Sequence, residues 1–157
     1  MAFKVSKLQL LSPAFETEGK IPVEYTRFAD NLSPALEWNN VPEGTLSFAL
    51  VCHDPDAGLV SANNIGVVHW VLYNIPGSVT GLPKGVAEYT KGLHSHNKEG
   101  YIGPLPPEGH GIHHYFFVLM ALNKEPNLEA GLNMWQLLER IAPHVIGTSR
   151  LVGTCQK

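Results

Sequence analysis

At 157 residues the chain has room for one domain, taken as residues 1–157, with a single sizeable core. Hydrophobic residues make up 44% and charged residues 16%, which excludes a disordered chain and indicates a compact, loop-rich globule. The formal charge of −3 and the lack of any Lys/Arg run exclude non-specific nucleic-acid binding, and two cysteines, Cys52 and Cys155, allow one bridge at most.

Residues Phe3 to Leu11 alternate apolar with polar and read as a strand, without the apolar core of a signal peptide. No stretch is long enough to span a bilayer, so a cytoplasmic location without stable membrane insertion is expected. Val23 to Thr26 is a weaker strand candidate. Leu46 to Cys52 is a strong one, and it runs into the turn His53-Asp54-Pro55-Asp56-Ala57-Gly58. Val67 to Ile75 is a second strong strand and carries His69 among apolar neighbours. His94-Ser95-His96 lies in a polar stretch and reads as a solvated loop. From Gly100 to His114 glycines and prolines recur too often for a helix or a ladder strand, so the backbone loops tightly there.

The third strong strand, Tyr115 to Leu122, follows that loop. Alternation puts His113 and Tyr115 on one face at its mouth. From Met134 to Ala142 the apolar residues recur with helical spacing, Asn133 and Gln136 are placed as in a capping box, and Pro143 ends or kinks the helix. Val145-Ile146 reads as a further short helical turn, and Leu151 to Thr154 as an edge strand. Strands outnumber helices: the fold class is mainly β, a β-rich α+β domain with short peripheral helices.

Three strand ends carry the chemistry: Asp54, His69, and the pair His113 and Tyr115. Taken singly, each has a plainer reading, as a turn aspartate, a satisfied core histidine and a loop. Together they indicate a small binding pocket, because buried polar groups among apolar strands need a partner or a ligand. Asp54 is the natural partner for His69. That pair leaves open a general base in a hydrolase or lyase, and Asp54, His69 and His113 leave open a metal-dependent enzyme. No Gly-x-Ser-x-Gly elbow, His-Glu-x-x-His or paired Cys-x-x-Cys occurs, and Cys52 reads as inert packing. The primary expectation is therefore a binding protein with no catalytic residue, metal or cofactor. His110, His114 and His144 read as surface or supporting residues.

The chain resembles the phosphatidylethanolamine-binding protein family, in its bacterial and archaeal Raf kinase inhibitor-like branch. The likeness rests on Asp30 to Trp38 with Val41-Pro42, on Asp54-Pro55-Asp56-Ala57, on His69-Trp70 with Asn74-Ile75-Pro76, on Gly103 to Tyr115 and on Leu151 to Thr154. It implies a central antiparallel sheet backed by a smaller one. It also implies a phosphate-like anion or head-group pocket of Asp54, His69, His113 and Tyr115, walled by Gly103, Pro106 and Pro107. His69 or His113 and the Tyr115 hydroxyl would donate to the oxyanion, with Asp54 charging a histidine. The implied partners are a small anion and a protein kinase or protease that the chain inhibits. A homodimer is expected, with an exposed Trp38 at its interface. Gly58 stands where the family has proline, and Leu105 where many members have a small residue, which makes the entrance narrower or more apolar. The branch lacks the C-terminal helix that covers the pocket elsewhere, so a more open site is expected.

Overall fold

The computed structural model describes residues 6–58 and 65–157. Residues 3–5 of the first expected strand lie outside them. The strands are β1 Gln9–Leu11, β2 Gly19–Lys20, β3 Leu36–Asn39, β4 Ser47–Asp54, β5 Val67–Pro76, β6 Gly81–Leu82, β7 Thr90–Lys91, β8 His113–Leu122 and β9 Val145–Cys155, with one helix, α1, at Met134–Ile141. A six-stranded sheet has the order β2-β9-β8-β4-β5-β7 and a smaller one the order β1-β3-β6. All pairings are antiparallel except β2 with β9. The mainly β, two-sheet architecture expected from the pattern of short apolar runs is the one observed.

The large sheet is buried on both faces, which explains why β4 and much of β5 and β8 read as continuous apolar runs rather than strict alternation. One face packs Phe48, Leu50, Trp70, Leu72, Phe117 and Leu119 against Leu10, Leu36 and Trp38 of the small sheet. The other packs Val51, Val71, Tyr73 and Met120 against Met134, Leu137 and Ile141 of α1. The helix starts as its sequence indicates: the Gln136 amide donates to Asn133 Oδ1 at 2.9 Å, and the Asn133 amide donates to Gln136 Oε1 at 3.0 Å. Among the described residues no helix is long and apolar enough to cross a membrane.

Several local expectations are corrected. Val23–Tyr25 is a single 3₁₀ turn rather than a strand, and Pro22 precedes it. The turn after α1 is Ala142–His144, built around Pro143, and Val145-Ile146 already belongs to β9. That strand is eleven residues long and is not an edge, because β2 covers it at Gly153 and Thr154. Trp38 is buried: its indole N–H donates to the Val79 carbonyl at 2.9 Å and its ring packs on Phe48. It is therefore part of the core and does not face a partner.

The two cysteines are free and buried. Cys52 lies opposite Phe117 of β8 and Cys155 opposite His113 of the same strand. Two strand spacings, roughly 10 Å, already separate them, before the offset between positions 113 and 117 is added. That exceeds the ~7 Å limit of a disulfide.

Candidate functional site

β4, β5 and β8 are neighbours in the large sheet, so their ends bring Asp54, His69, His113 and Tyr115 to one place. Along β8 the residues 113, 115, 117 and 119 are all buried, with Tyr115, Phe117 and Leu119 on the face toward the small sheet, as alternation requires. Asp54 ends β4 two residues beyond Cys52, on that same face. His69 reaches the group differently. His53 pairs with Val68 and Cys52 with Trp70, so His69 is the extra residue of a β-bulge. Without the bulge, alternation would send it to the face carrying Val71 and Tyr73. Its ring instead meets Tyr115 edge-on, with centroids 5.0 Å apart.

Asp54 does not pair with His69. The Nδ1–H of His113 donates to Asp54 Oδ2 at 2.8 Å, with both side chains buried. The other Asp54 oxygen accepts from the Asp56 amide at 2.9 Å, an Asx turn that fixes the carboxylate. His69 Nδ1–H donates instead to the Ile102 carbonyl at 2.7 Å. Burial depresses His69 from its ordinary 6.5 to about 4, with Arg27, His53 and His94 adding to the effect. Asp54 thus serves His113 and not the expected His69, and burial disfavours a charged His69. In its neutral form His69 carries its proton on Nδ1 and offers a lone pair at Nε2. Burial, and then the Asp54 charge, push the Tyr115 phenol far up, so it remains a hydrogen-bond donor. Among the described residues no cluster of three His, Cys, Asp or Glu is arranged to hold a metal ion. The Asp54, His69 and His113 metal set is therefore not formed.

The wall beside these groups is the 101–106 loop. Gly103, Pro104 and Pro106 are buried, whereas Leu105 and Pro107 face solvent. Gly103 is glycine for lack of space: a Cβ there would lie 2.4 Å from the Tyr25 carbonyl oxygen and 2.8 Å from Asn31 Oδ1. The 25–31 turn is stitched to this loop by Tyr101 Oη donating to the Tyr25 carbonyl (2.6 Å) and the Gly103 amide to Asn31 Oδ1 (2.6 Å). The Arg27 amide donates to the Pro104 carbonyl (2.9 Å) and Arg27 Nε to the Gly103 carbonyl (3.0 Å). Sequence reading missed this turn entirely, since nothing in Thr26 to Ala29 announces contact with a loop more than seventy residues away.

The other histidines divide between surface and support. His94 is buried, not solvated: its Nδ1 accepts from the His96 amide at 3.1 Å, and Ser95 is tied to Val68 by its amide (3.0 Å) and its hydroxyl (2.7 Å). His110 is exposed and stacks on His113, with centroids 5.7 Å apart. His114 binds Asp56 Oδ2 through Nδ1 (2.7 Å) and its amide (2.8 Å). Burial opposes the charge on Asp56, yet the His114 bonds prevail and hold its carboxyl below the ordinary value. Gly58 has φ +74°, which proline cannot adopt, so this turn is built differently from a proline-bearing one. An open groove of about 500 Å³ over the small sheet, lined by Leu11, Glu37, Trp38 and Leu82 among others, carries no histidine and is separate from the site.

The large sheet of this two-sheet β domain thus carries a buried Asp–His pair, a second histidine and a tyrosine at its strand ends. The phosphatidylethanolamine-binding protein family model matches residues 11–156, and the chain belongs to that family. It is 38% identical to a UPF0098 protein of Methanothermobacter thermautotrophicus over 153 residues, covering 93% of this chain and 97% of that one. A crystal structure of a phosphatidylethanolamine-binding protein homolog, CT736 from Chlamydia trachomatis, superposes with TM-score 0.88 at 34% identity, covering 96% and 97% of the two chains. YBCL of E. coli, described as a member of the mammalian PEBP family, gives TM-score 0.87 at 27% identity and covers 97% and 99%.

Proposed function

We propose that this chain binds a small oxyanion, of the phosphate or phosphorylated head-group class, at Asp54, His69, His113 and Tyr115, walled by Gly103 and Pro106 with Pro107 at the rim. The observation that carries it is the buried His113–Asp54 pair at 2.8 Å. Asp54 occupies Nδ1 and orients the ring, and among the described residues no protein group bonds its Nε2. With Nε2 protonated, the imidazolium donates to the ligand while Asp54 balances its charge. Tyr115 supplies a second donor. Neutral His69 contributes an acceptor at Nε2, suited to a donor group of the ligand such as the ammonium of an ethanolamine head group.

Charge-assisted bonds of this type contribute ~1.5–3 kcal/mol each, so two or three hold a phosphate with about millimolar to micromolar affinity. The test is a phosphate titration followed by amide chemical shifts. Wild type should shift at residues 54, 69, 113 and 115, and His113→Ala, folded, should not; an undiminished response in that variant removes the reading.

The same proposal includes regulation of a protein kinase or protease through the pocket rim, where Leu105 and Ile112 are exposed. A pull-down from cell extract with and without excess phosphate tests it. A cytoplasmic location and a homodimer complete the proposal and are checked by fractionation and light scattering.

A further inference from the structure

We propose that Arg27 is the fixed positive charge of this pocket and makes it prefer a dianionic phosphate monoester to a singly charged diester; the inference rests on the oxyanion reading above.

The geometry is that of a cation bolted to the pocket wall. Arg27 Nε donates to the Gly103 carbonyl at 3.0 Å, and its own amide to the Pro104 carbonyl at 2.9 Å. The preceding carbonyl of the same loop, Ile102, holds His69 at 2.7 Å. Arg27 and His69 are thus anchored on successive residues of one wall. With Nε engaged, the two terminal nitrogens of the guanidinium bond no protein acceptor among the described residues. Nor does any described carboxylate pair with it: the ion pairs are Lys84–Glu24, His113–Asp54, His114–Asp56 and Arg140–Glu129. A partly buried guanidinium without a counter-ion is costly, and a bound anion relieves that cost.

Charge bookkeeping points the same way. In the oxyanion reading above, a His113 imidazolium is balanced by the Asp54 carboxylate 2.8 Å away. His69 is neutral, and burial keeps the Tyr115, Tyr101, Cys52 and Cys155 protons in place. Those groups alone give a pocket of zero net charge, adequate for a polar or singly charged ligand and poor for a dianion. Arg27 supplies the missing charge. Its field reaches the site, since it helps depress His69 and is itself coupled to Tyr115. A planar guanidinium with both terminal nitrogens free also matches two phosphate oxygens at once.

The competing role is a strut that merely ties the 25–31 turn to the wall. Calorimetric titration with methyl phosphate and dimethyl phosphate at about pH 7, where a second phosphate pKa of about 6 leaves the monoester mostly dianionic, separates the two. Wild type should prefer the monoester about 10-fold or more, the weight of one charge-assisted bond. Arg27→Gln should lose about 10-fold in monoester affinity while diester affinity changes by less than about 3-fold. Arg27→Lys, which keeps the charge and forgoes the Gly103 bond, should retain the preference. The inference is overturned if wild type shows no preference, if Arg27→Gln keeps the wild-type ratio, or if both variants lose the two ligands in parallel. Should Arg27→Gln fail to fold, the wild-type ratio and the lysine variant still decide. Binding of neither ligand by wild type sinks the oxyanion reading itself, and this inference with it.

Discussion

His113 Nδ1 and Asp54 Oδ2 lie 2.8 Å apart with their side chains 3% and 1% exposed, the one opening β8 and the other ending β4. A carboxylate so deeply buried is tolerable only with its bonding capacity met, and Asp54 uses both oxygens, on His113 and on the Asp56 amide. Asp54→Asn preserves shape but removes the charge that balances a protonated His113. We expect phosphate affinity to fall by about 10-fold or more and stability to drop by roughly 1–3 kcal/mol, read from isothermal titration and urea unfolding. Full phosphate affinity in that variant would show that the carboxylate does not support the imidazolium.

His69 makes the protein sensitive to acid. Its folded pKa is about 4 against an ordinary 6.5, so between those values the unfolded chain binds the proton that the folded chain refuses. Stability therefore rises with pH in this window. Going down from pH 6.5, it is lost at about 1.4 kcal/mol per unit, to roughly 3 kcal/mol by pH 4. His69→Gln, which cannot take up that proton, should show a flatter dependence when urea midpoints are compared across the same pH range. Parallel curves for the two proteins would mean that His69 is not the responsible group.

Much of this architecture is legible in the sequence, for reasons that also mark where legibility stops. Alternation alone puts His113 and Tyr115 on one face, and capping chemistry alone starts α1 after Asn133, because both depend on neighbours in the chain. The partner of Asp54 depends on register between β4 and β8. The inward turn of His69 depends on a bulge, which is an insertion relative to another strand and has no local signature. Val145-Ile146 reads as a helical turn and only Leu151 to Thr154 as strand, yet the strand starts at Val145, because β9 is held by its pairing with β8 and not by its own pattern. Arg27 and Asn31 reach the wall only through the tertiary fold.

Gly103 and Gly109 sit in the same loop and should respond differently to alanine. At Gly103 the nearest obstacle is backbone of the 25–31 turn, the Tyr25 carbonyl oxygen 2.4 Å from the added Cβ, which cannot swing away as a side chain can. Alanine there should cost roughly 1–3 kcal/mol and weaken phosphate binding, because the turn carrying Arg27 is pushed off the wall. Gly109 has open space around it but φ +80°, so its alanine variant should cost about 1–2 kcal/mol from backbone strain and leave binding nearly intact. Equal losses of binding at both positions would show that the loop responds to general loosening and not to this contact.

Cys52 and Cys155 should behave as two independent, slow thiols. Burial pushes both up from the ordinary thiol value, with the Asp54 charge adding to it, and for Cys155 Lys20 works in the opposite direction. Little thiolate is present near neutral pH, so reaction with a disulfide reagent should be slow in the native protein and rapid after unfolding in urea. Cys155, near the end of β9, should react before Cys52, which is central in the large sheet. The strand spacing between them forbids a bridge, so mild oxidation of the folded protein should leave both thiols free by mass spectrometry. Recovery of an intramolecular Cys52–Cys155 disulfide from native protein would contradict the β9-β8-β4 order itself, because no local adjustment closes that gap.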